Sequence, residues 1–446
     1  MKKFIETLQN IWKIEDLRTR LLITLLFVLI YRFGSFIVLP GIDPNSLDSL
    51  KAQTEGGLLG LLNMFTGGAF ANASIFALGI MPYISASIVV QLLTIAVPAF
   101  QKKQREGESG RKWMNQFTRY LTVPILLLQG PSYLVNLSVQ LSQTGGMPTG
   151  FWFQASSTII LCAGSMFVMW LGERITDKGI GNGISLIIMI GIIARFPEAL
   201  LQEVYSRNGD VGGGWIMFLL EIIALLVVIG LSILLVQGTR KIPVQYAKRV
   251  VGNKQYGGVR QYIPLKVNAA GVMPIIFAQA IMFIPITIIG FSNTESVSAF
   301  WQGLVNSDRL PYNIVFFIMI VAFTYFYTAI TVNPKQMAED MKRNNGFIPG
   351  IKPGKRTAEY IDEIMSRITL PGSMFLAIVA ILPAIARQFN ITHGFAQFFG
   401  GTSLLILVGV VLDTLQQIES HLLMRHYDGL LKSGRIKGRS GNIAAY

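Results

Sequence analysis

The chain has 446 residues, of which 52% are hydrophobic and only 14% charged, with 38 Lys and Arg against 24 Asp and Glu for a formal net charge of +14. A water-soluble globular chain carries about 25% charged residues, so an ordinary soluble surface is excluded and lipid is the expected solvent. Cys162 is the single cysteine, which rules out an internal disulfide, and His393, His421 and His426 are too scattered to offer metal-ligand spacing.

A membrane-crossing helix needs roughly 20 mostly apolar residues. Ten runs meet this, at 20–39, 74–97, 119–137, 153–172, 183–203, 215–237, 269–290, 313–332, 367–387 and 399–418. The first is too long for a signal peptide and lacks a small-residue cleavage site, so no cleavable signal is expected. After it comes Gly56–Ala69, apolar but broken by glycines and too short to span. It reads either as an interfacial loop or as a segment folded back into a protein-lined cavity, where irregular backbone is tolerated. In the second run Ile80, Ile84 and Ile88 form one stripe. Gln91, Thr94, Gln129 and Asn268 are uncharged polar residues within or at the ends of runs, suited to bonding between helices. Gly179-Ile180-Gly181-Asn182-Gly183 follows a helix rather than a strand, so it reads as a tight turn and not a dinucleotide site. Arg195, Phe196 and Pro197 interrupt the end of the fifth run, the weakest of the ten. The stretch Gly350–Thr357 has three residues between its glycines and Arg356 where a P-loop needs Ser or Thr, which excludes phosphate cradling of that kind. Arg32, Glu221 and Asp413 are expected near helix ends, with their heads reaching the interface.

Counting Lys and Arg by side gives 32 on the side of the amino terminus and five on the other (Lys51, Arg195, Arg207, Arg309 and Arg387), with Arg32 inside a span. The positive-inside rule then puts both termini in the cytoplasm. The excess charge falls on loops 238–267 and 333–366, which suggests an acidic partner or lipid head groups. An internal echo relates Gly79-Ile80-Met81-Pro82-Tyr83-Ile84 to Gly271-Val272-Met273-Pro274-Ile275-Ile276. These hexapeptides begin the second and seventh spans, which run in opposite directions. That is the pattern of inverted repeats flanking a pathway.

Four ordered blocks carry a family resemblance: Gly67–Ile88, Gly179–Ser185, Pro264–Pro274 and Gly400–Ile406. They resemble, in turn, the plug and second helix, the start of the fifth helix, the entry to the seventh and the tenth helix of the SecY family. The resemblance implies an all-α polytopic membrane protein with ten transmembrane helices in two inverted five-helix halves, 1–203 and 215–418, around a central pore, and a cytoplasmic tail at 419–446. It implies a bacterial inner-membrane channel that passes unfolded preproteins and releases hydrophobic segments laterally. The pore ring would be Ile80, Ile84, Ile188, Ile276 and Ile406. A plug near 58–72 would include Leu61, Leu62, Asn63, Met64, Phe65, Gly67 and Gly68, and a lateral gate would use Gln91, Thr94, Gln129 and Asn268. Arg249, Lys254, Lys352, Lys355 and Arg356 would dock the SecA ATPase and the ribosome. Lys352 stands where the family has Arg, and Gly252-Asn253-Lys254 replaces a more basic tip. SecE and SecG subunits, signal sequences, nascent preproteins and membrane lipids are the implied partners, with no cofactor, metal or catalytic residue. The rival readings are an inverted-repeat transporter of small solutes and a membrane scaffold without a conduit.

Overall fold

The computed structural model describes residues 12, 14–44, 47, 63–141, 148, 150–208, 214–246, 249–251, 254–256, 260–279, 281–282 and 309–432. The helices are α1 (Glu15–Gly34), α2 (Met81–Ala96), α3 (Pro98–Arg105), α4 (Glu108–Leu141), α5 (Phe151–Lys178), α6 (Gly183–Arg207) and α7 (Gly214–Gln237). They continue with α8 (Leu310–Thr331), α9 (Pro334–Arg343), α10 (Lys355–Gln388), α11 (His393–Ala396) and α12 (Gly401–Lys432). Residues 273–279 and 281–282 are also helical; 283–290, the rest of the expected seventh span, lies outside the described residues.

Among the described residues, α5, α6, α7, α8, α10 and α12 hold apolar stretches long enough to cross a membrane. The expected third span, 119–137, sits inside the longer, more charged α4, whereas the expected first, 20–39, overlaps α1 only as far as Gly34, and 35–39 are not helical. Helix α7 illustrates the solvent: Ile216, Leu219, Leu226 and Leu234 are all exposed. A contiguous apolar face of that kind belongs against lipid.

Several boundaries differ from the sequence expectation. The second span was expected to be helical from residue 74, but 74–80 form turns and α2 begins at Met81. Pro82 sits in the first turn, where its missing N–H costs nothing, and Gly79 just before it is left-handed, with φ +54°. The second span also ends sharply: Val97 is extended, as the residue before Pro98 should be. The expected fifth span, α6, continues without a break through Arg195-Phe196-Pro197 to Arg207; membrane helices tolerate proline where neighbours satisfy the freed carbonyl.

The chain also contains strand, which the all-α expectation omitted. Strands β1 (Thr239–Tyr246), β2 (Arg249–Val251), β3 (Lys254–Tyr256), β4 (Arg260–Lys266) and β5 (Gly346–Phe347) form two small sheets. The order in the larger is β4-β1-β5, antiparallel, with Ile242 opposite Ile263 and Gln245 opposite Phe347. Strands β2 and β3 form a separate hairpin.

Two compact units divide the chain: 1–54, 62–194 and 410–446 in the first, and 55–61 and 195–409 in the second. In the first, α4 packs on α2 and α5, and α1 packs on α5; in the second, α10 packs on α7, α8 and α9.

Candidate functional site

In the first unit the chain from Asn63 to Ile80 is helical at 63–65 and then runs in successive turns, with a bridge from Ser74 to Val38, buried among helices. Asn63, Met64, Ala69 and Ala73 are almost fully buried. Its polar groups are largely satisfied from within. Gly68 N donates to Asn63 O, Ala71 N to Asn63 Oδ1 and Phe70 N to Thr66 Oγ1. Residues 63–69 therefore fold inward rather than lying at the interface; Leu61 and Leu62 lie outside the described residues.

Four helices hold this segment. From α1, Tyr31 Oη donates to Thr66 O at 3.2 Å and Arg32 Nη1 to Gly67 O at 2.8 Å. From α4, Tyr133 Oη donates to Phe70 O at 2.9 Å, with the two rings edge to face. On α5, Gly164 lies so close that a Cβ there would collide with the Ile75 carbonyl. On α6, Gly191 meets left-handed Gly67: a Cβ on Gly67 would stand 2.8 Å from Gly191 Cα, and one on Gly191 2.9 Å from Phe65 O. The extended chain after α1 adds an edge, with Leu39 N donating to Ala73 O and Ile75 N to Ile37 O.

The five isoleucines fall in both units. In the first, Ile80 is buried at the N-cap of α2, Ile84 is half-buried one turn later, and Ile188 is buried on α6. In the second, Ile276 is half-buried in the helical stretch 273–279 and Ile406 is buried on α12. The hexapeptide echo has a structural counterpart. Gly79 and Gly271 are both left-handed, with φ +54° and +64°, and each stands two residues before a helix that opens on Met-Pro.

Of the polar gate candidates, Thr94 Oγ1 donates to Val90 O of its own helix. Gln91 Oε1 and Asn268 Oδ1 are buried oxygens without a hydrogen-bond partner among the described residues, and Gln129 is half-buried on α4. The Gly179–Gly183 stretch is a turn, as expected. Asn182 Oδ1 accepts from Ile184 N and Ser185 N to cap α6, and Gly181 N donates to Gln417 Oε1 on α12.

The two basic loops, expected as separate docking elements, fold together. Ile242, Val244 and Leu265 from the first loop and Met341, Ile348, Ile361 and Met365 from the second share one small apolar core. Lys352, Lys355 and Arg356 are exposed at its tip. The backbone there is fixed by buried Thr357, whose Oγ1 donates to Lys352 O at 2.9 Å. Arg249 and Lys254 stand on β2 and β3. Thr357→Val should therefore loosen the tip by about 1 kcal/mol without unfolding the core. Faster proteolysis within 349–356, at unchanged overall melting temperature, would register it.

One feature escaped the sequence reading altogether. Glu221 was expected near a helix end with its head at the interface and Arg207 in a segment on the far side, yet both are buried in the second unit, together with Glu203. Arg207 Nε donates to Glu203 Oε1 at 2.9 Å, and its Nη2 faces Glu221 Oε1 and the carbonyls of Phe389 and Asn390. Glu203 Oε2 accepts from Thr392 N and Thr392 Oγ1. This network ties the ends of α6 and α7 to the connection between α10 and α11. Asp413, by contrast, is exposed, though it stands well inside α12 rather than at its end.

A SecY family model matches residues 74–415. The Protein translocase subunit SecY of Streptomyces coelicolor is 44% identical over 433 residues, covering 94% of this chain and 98% of that one. The chain belongs to the SecY family. Solved structures agree on the fold. A SecY channel described as having a plug domain that stabilizes the closed state and maintains a membrane seal matches with TM-score 0.57 at 17% identity, over 94% of this chain and 95% of that one. Sec61 in the canine ribosome-channel complex matches with TM-score 0.52 at 15% identity, over the same shares. Membership of the SecY family makes the chain a membrane-embedded protein-conducting translocation channel subunit, and the small-solute transporter reading finds no support.

Proposed function

We propose that Ile80, Ile84, Ile188, Ile276 and Ile406 form the pore constriction of this channel, with a plug near 58–72. An aliphatic ring excludes ions by dewetting and offers a passing chain no fixed hydrogen-bond partner. The observation that carries the reading is the segment 63–80, inward-folded and held from four helices. The paired left-handed glycines before Met81 and Met273 support two inverted five-helix halves, 1–203 and 215–418, with ten spans in all. Gln91 and Asn268 support a lateral gate, which Thr94 and Gln129 would complete. A buried acceptor without a donor costs about 1–3 kcal/mol and persists where another chain is to meet it.

The exposed Lys352, Lys355 and Arg356, with Arg249 and Lys254, form the docking face for SecA and the ribosome, whose RNA is anionic. SecE and SecG complete the assembly in the bacterial inner membrane, with both termini and the 419–446 tail in the cytoplasm. Signal sequences and nascent preproteins are its cargo, and apolar segments leave it for lipid.

The test is a stalled export substrate. Photocrosslinkers at Ile84 and Ile276 should both capture the translocating chain, while one at lipid-facing Leu226 should not; capture at Leu226 alone would overturn the ring. Ile276→Asn should let ions leak through the resting channel, because an amide holds water in the constriction. Unchanged leak at normal protein level removes Ile276 from the ring. Lys352→Glu should abolish SecA-driven export into inverted vesicles while the protein remains inserted; full export would remove Lys352 from the docking face.

A further inference from the structure

The contacts that hold the buried segment are not equivalent. Those of Tyr31 and Tyr133 are neutral hydrogen bonds, and that of Gly191 is a packing contact. Arg32 alone among these four brings a full charge. It stands in the last turn of α1, half-buried. Its Nη1 donates to Gly67 O at 2.8 Å. Charge-assisted hydrogen bonds are about twice as strong as neutral ones, more so where water is scarce.

Two features set the geometry of this bond. The guanidinium lies over the Phe36 ring, its central carbon 5.1 Å from the ring centroid. Phe36 follows α1 directly, so the donor is anchored from its own helix and not from the segment. Gly67 is the residue where the carbonyl can come this close: a Cβ there would stand 3.0 Å from Arg32 Nη1 and 2.8 Å from Gly191 Cα. The donor of the contact belongs to α1 and the acceptor to the segment.

We propose that Arg32 is a positioning residue of the channel's seal, a latch whose Phe36-anchored guanidinium captures the Gly67 carbonyl and holds the inward-folded segment shut. This rests on the reading of that segment as the plug.

The experiment uses the full chain in proteoliposomes, with Cys162→Ser and a reporter thiol at Met64→Cys, a buried position in the segment. The readouts are the rate of modification by a water-soluble maleimide and the resting ion leak. Arg32→Gln should raise the modification rate about tenfold and open a leak at unchanged protein level. Arg32→Lys, which keeps the cation, should return the rate close to the parent value. Arg174→Gln removes a guanidinium that lies over Trp170 in the same manner, 5.4 Å from the ring centroid, and should change neither readout.

A parent-like rate in an abundant Arg32→Gln protein would overturn the latch, as would a lysine variant as reactive as the glutamine one. Should Arg32→Gln fail to accumulate, Phe36→Leu removes the anchor at an exposed site and should still raise the rate; a parent-like rate there overturns the proposal equally. Deletion of 63–69 separates the two levels. If the deletion leaves the vesicles ion-tight, the plug reading fails. If the deletion leaks while Arg32→Gln stays tight and unreactive, only the latch fails.

Discussion

Arg207→Ala is expected to destabilise the second unit by about 3–5 kcal/mol, the usual result of stripping one member from a buried ionic network. Glu203 and Glu221 would be left facing each other without the guanidinium between them, and the carbonyls of Phe389 and Asn390 would lose a donor. The protein should accumulate poorly and melt well below the parent in detergent. The triple change Glu203→Met, Arg207→Met, Glu221→Leu should recover much of the loss, since an apolar replacement removes the desolvation cost of all three groups together. An Arg207→Ala protein as abundant and heat-stable as the parent would show that the network contributes nothing.

The second large effect is expected at Gly164→Ala. On α5 this residue faces the Ile75 carbonyl, a backbone atom with no rotamer in which to retreat. Helix α5 is a long, well-packed rod, so the turn 74–79 must move instead, and with it the buried segment. Overpacking of this kind costs about 1–3 kcal/mol, and here that strain should appear as ion leak through the resting channel. Two glycines serve as controls. A Cβ on Gly130 meets a side-chain methyl of Thr158 at 3.0 Å, which can rotate aside, and one on Gly230 meets nothing within 4 Å. Gly230→Ala should leave the seal intact and add about 0.5–1 kcal/mol of helix stability. A tight Gly164→Ala channel would mean that the turn is free to shift without unseating the segment.

Hydropathy made most of the helices legible, because an apolar run of span length has few other uses. It failed at Ser74–Leu78, whose composition is equally at home in helix and in buried turn. What decides that stretch is backbone: left-handed Gly67, Gly68 and Gly79, left-handed Ala73 at φ +44°, and Pro82 fixing the first helical turn. Pro82 was the available signal for the later start. The sheet was legible too, in the alternation of buried Ile242 and Val244 with exposed Lys241 and Pro243, but charge density marked the region as loop and masked the period of two. That the two loops share a core had no local signature, since Ile242 and Ile361 are far apart in sequence. The ionic network was illegible for the same reason: Glu203 and Arg207 four residues apart look like an ordinary solvated pair, and Thr392 gives no hint of its role.

The shared core of the basic loops has a mechanical consequence. Strand β1 leaves α7 at Gly238 and β4 returns at Val267, and the two points are pinched by a hydrogen bond from Val267 N to Gly238 O. Val267 O in turn lies against Gly372 of α10, where a Cβ would stand only 2.9 Å away. The tip at Lys352 and strands β1 and β4 thus share one core whose base is that pinch. If a partner docks at Lys352, as proposed, its push would be passed through this core to the chain just past Val267, nine residues before Ile276.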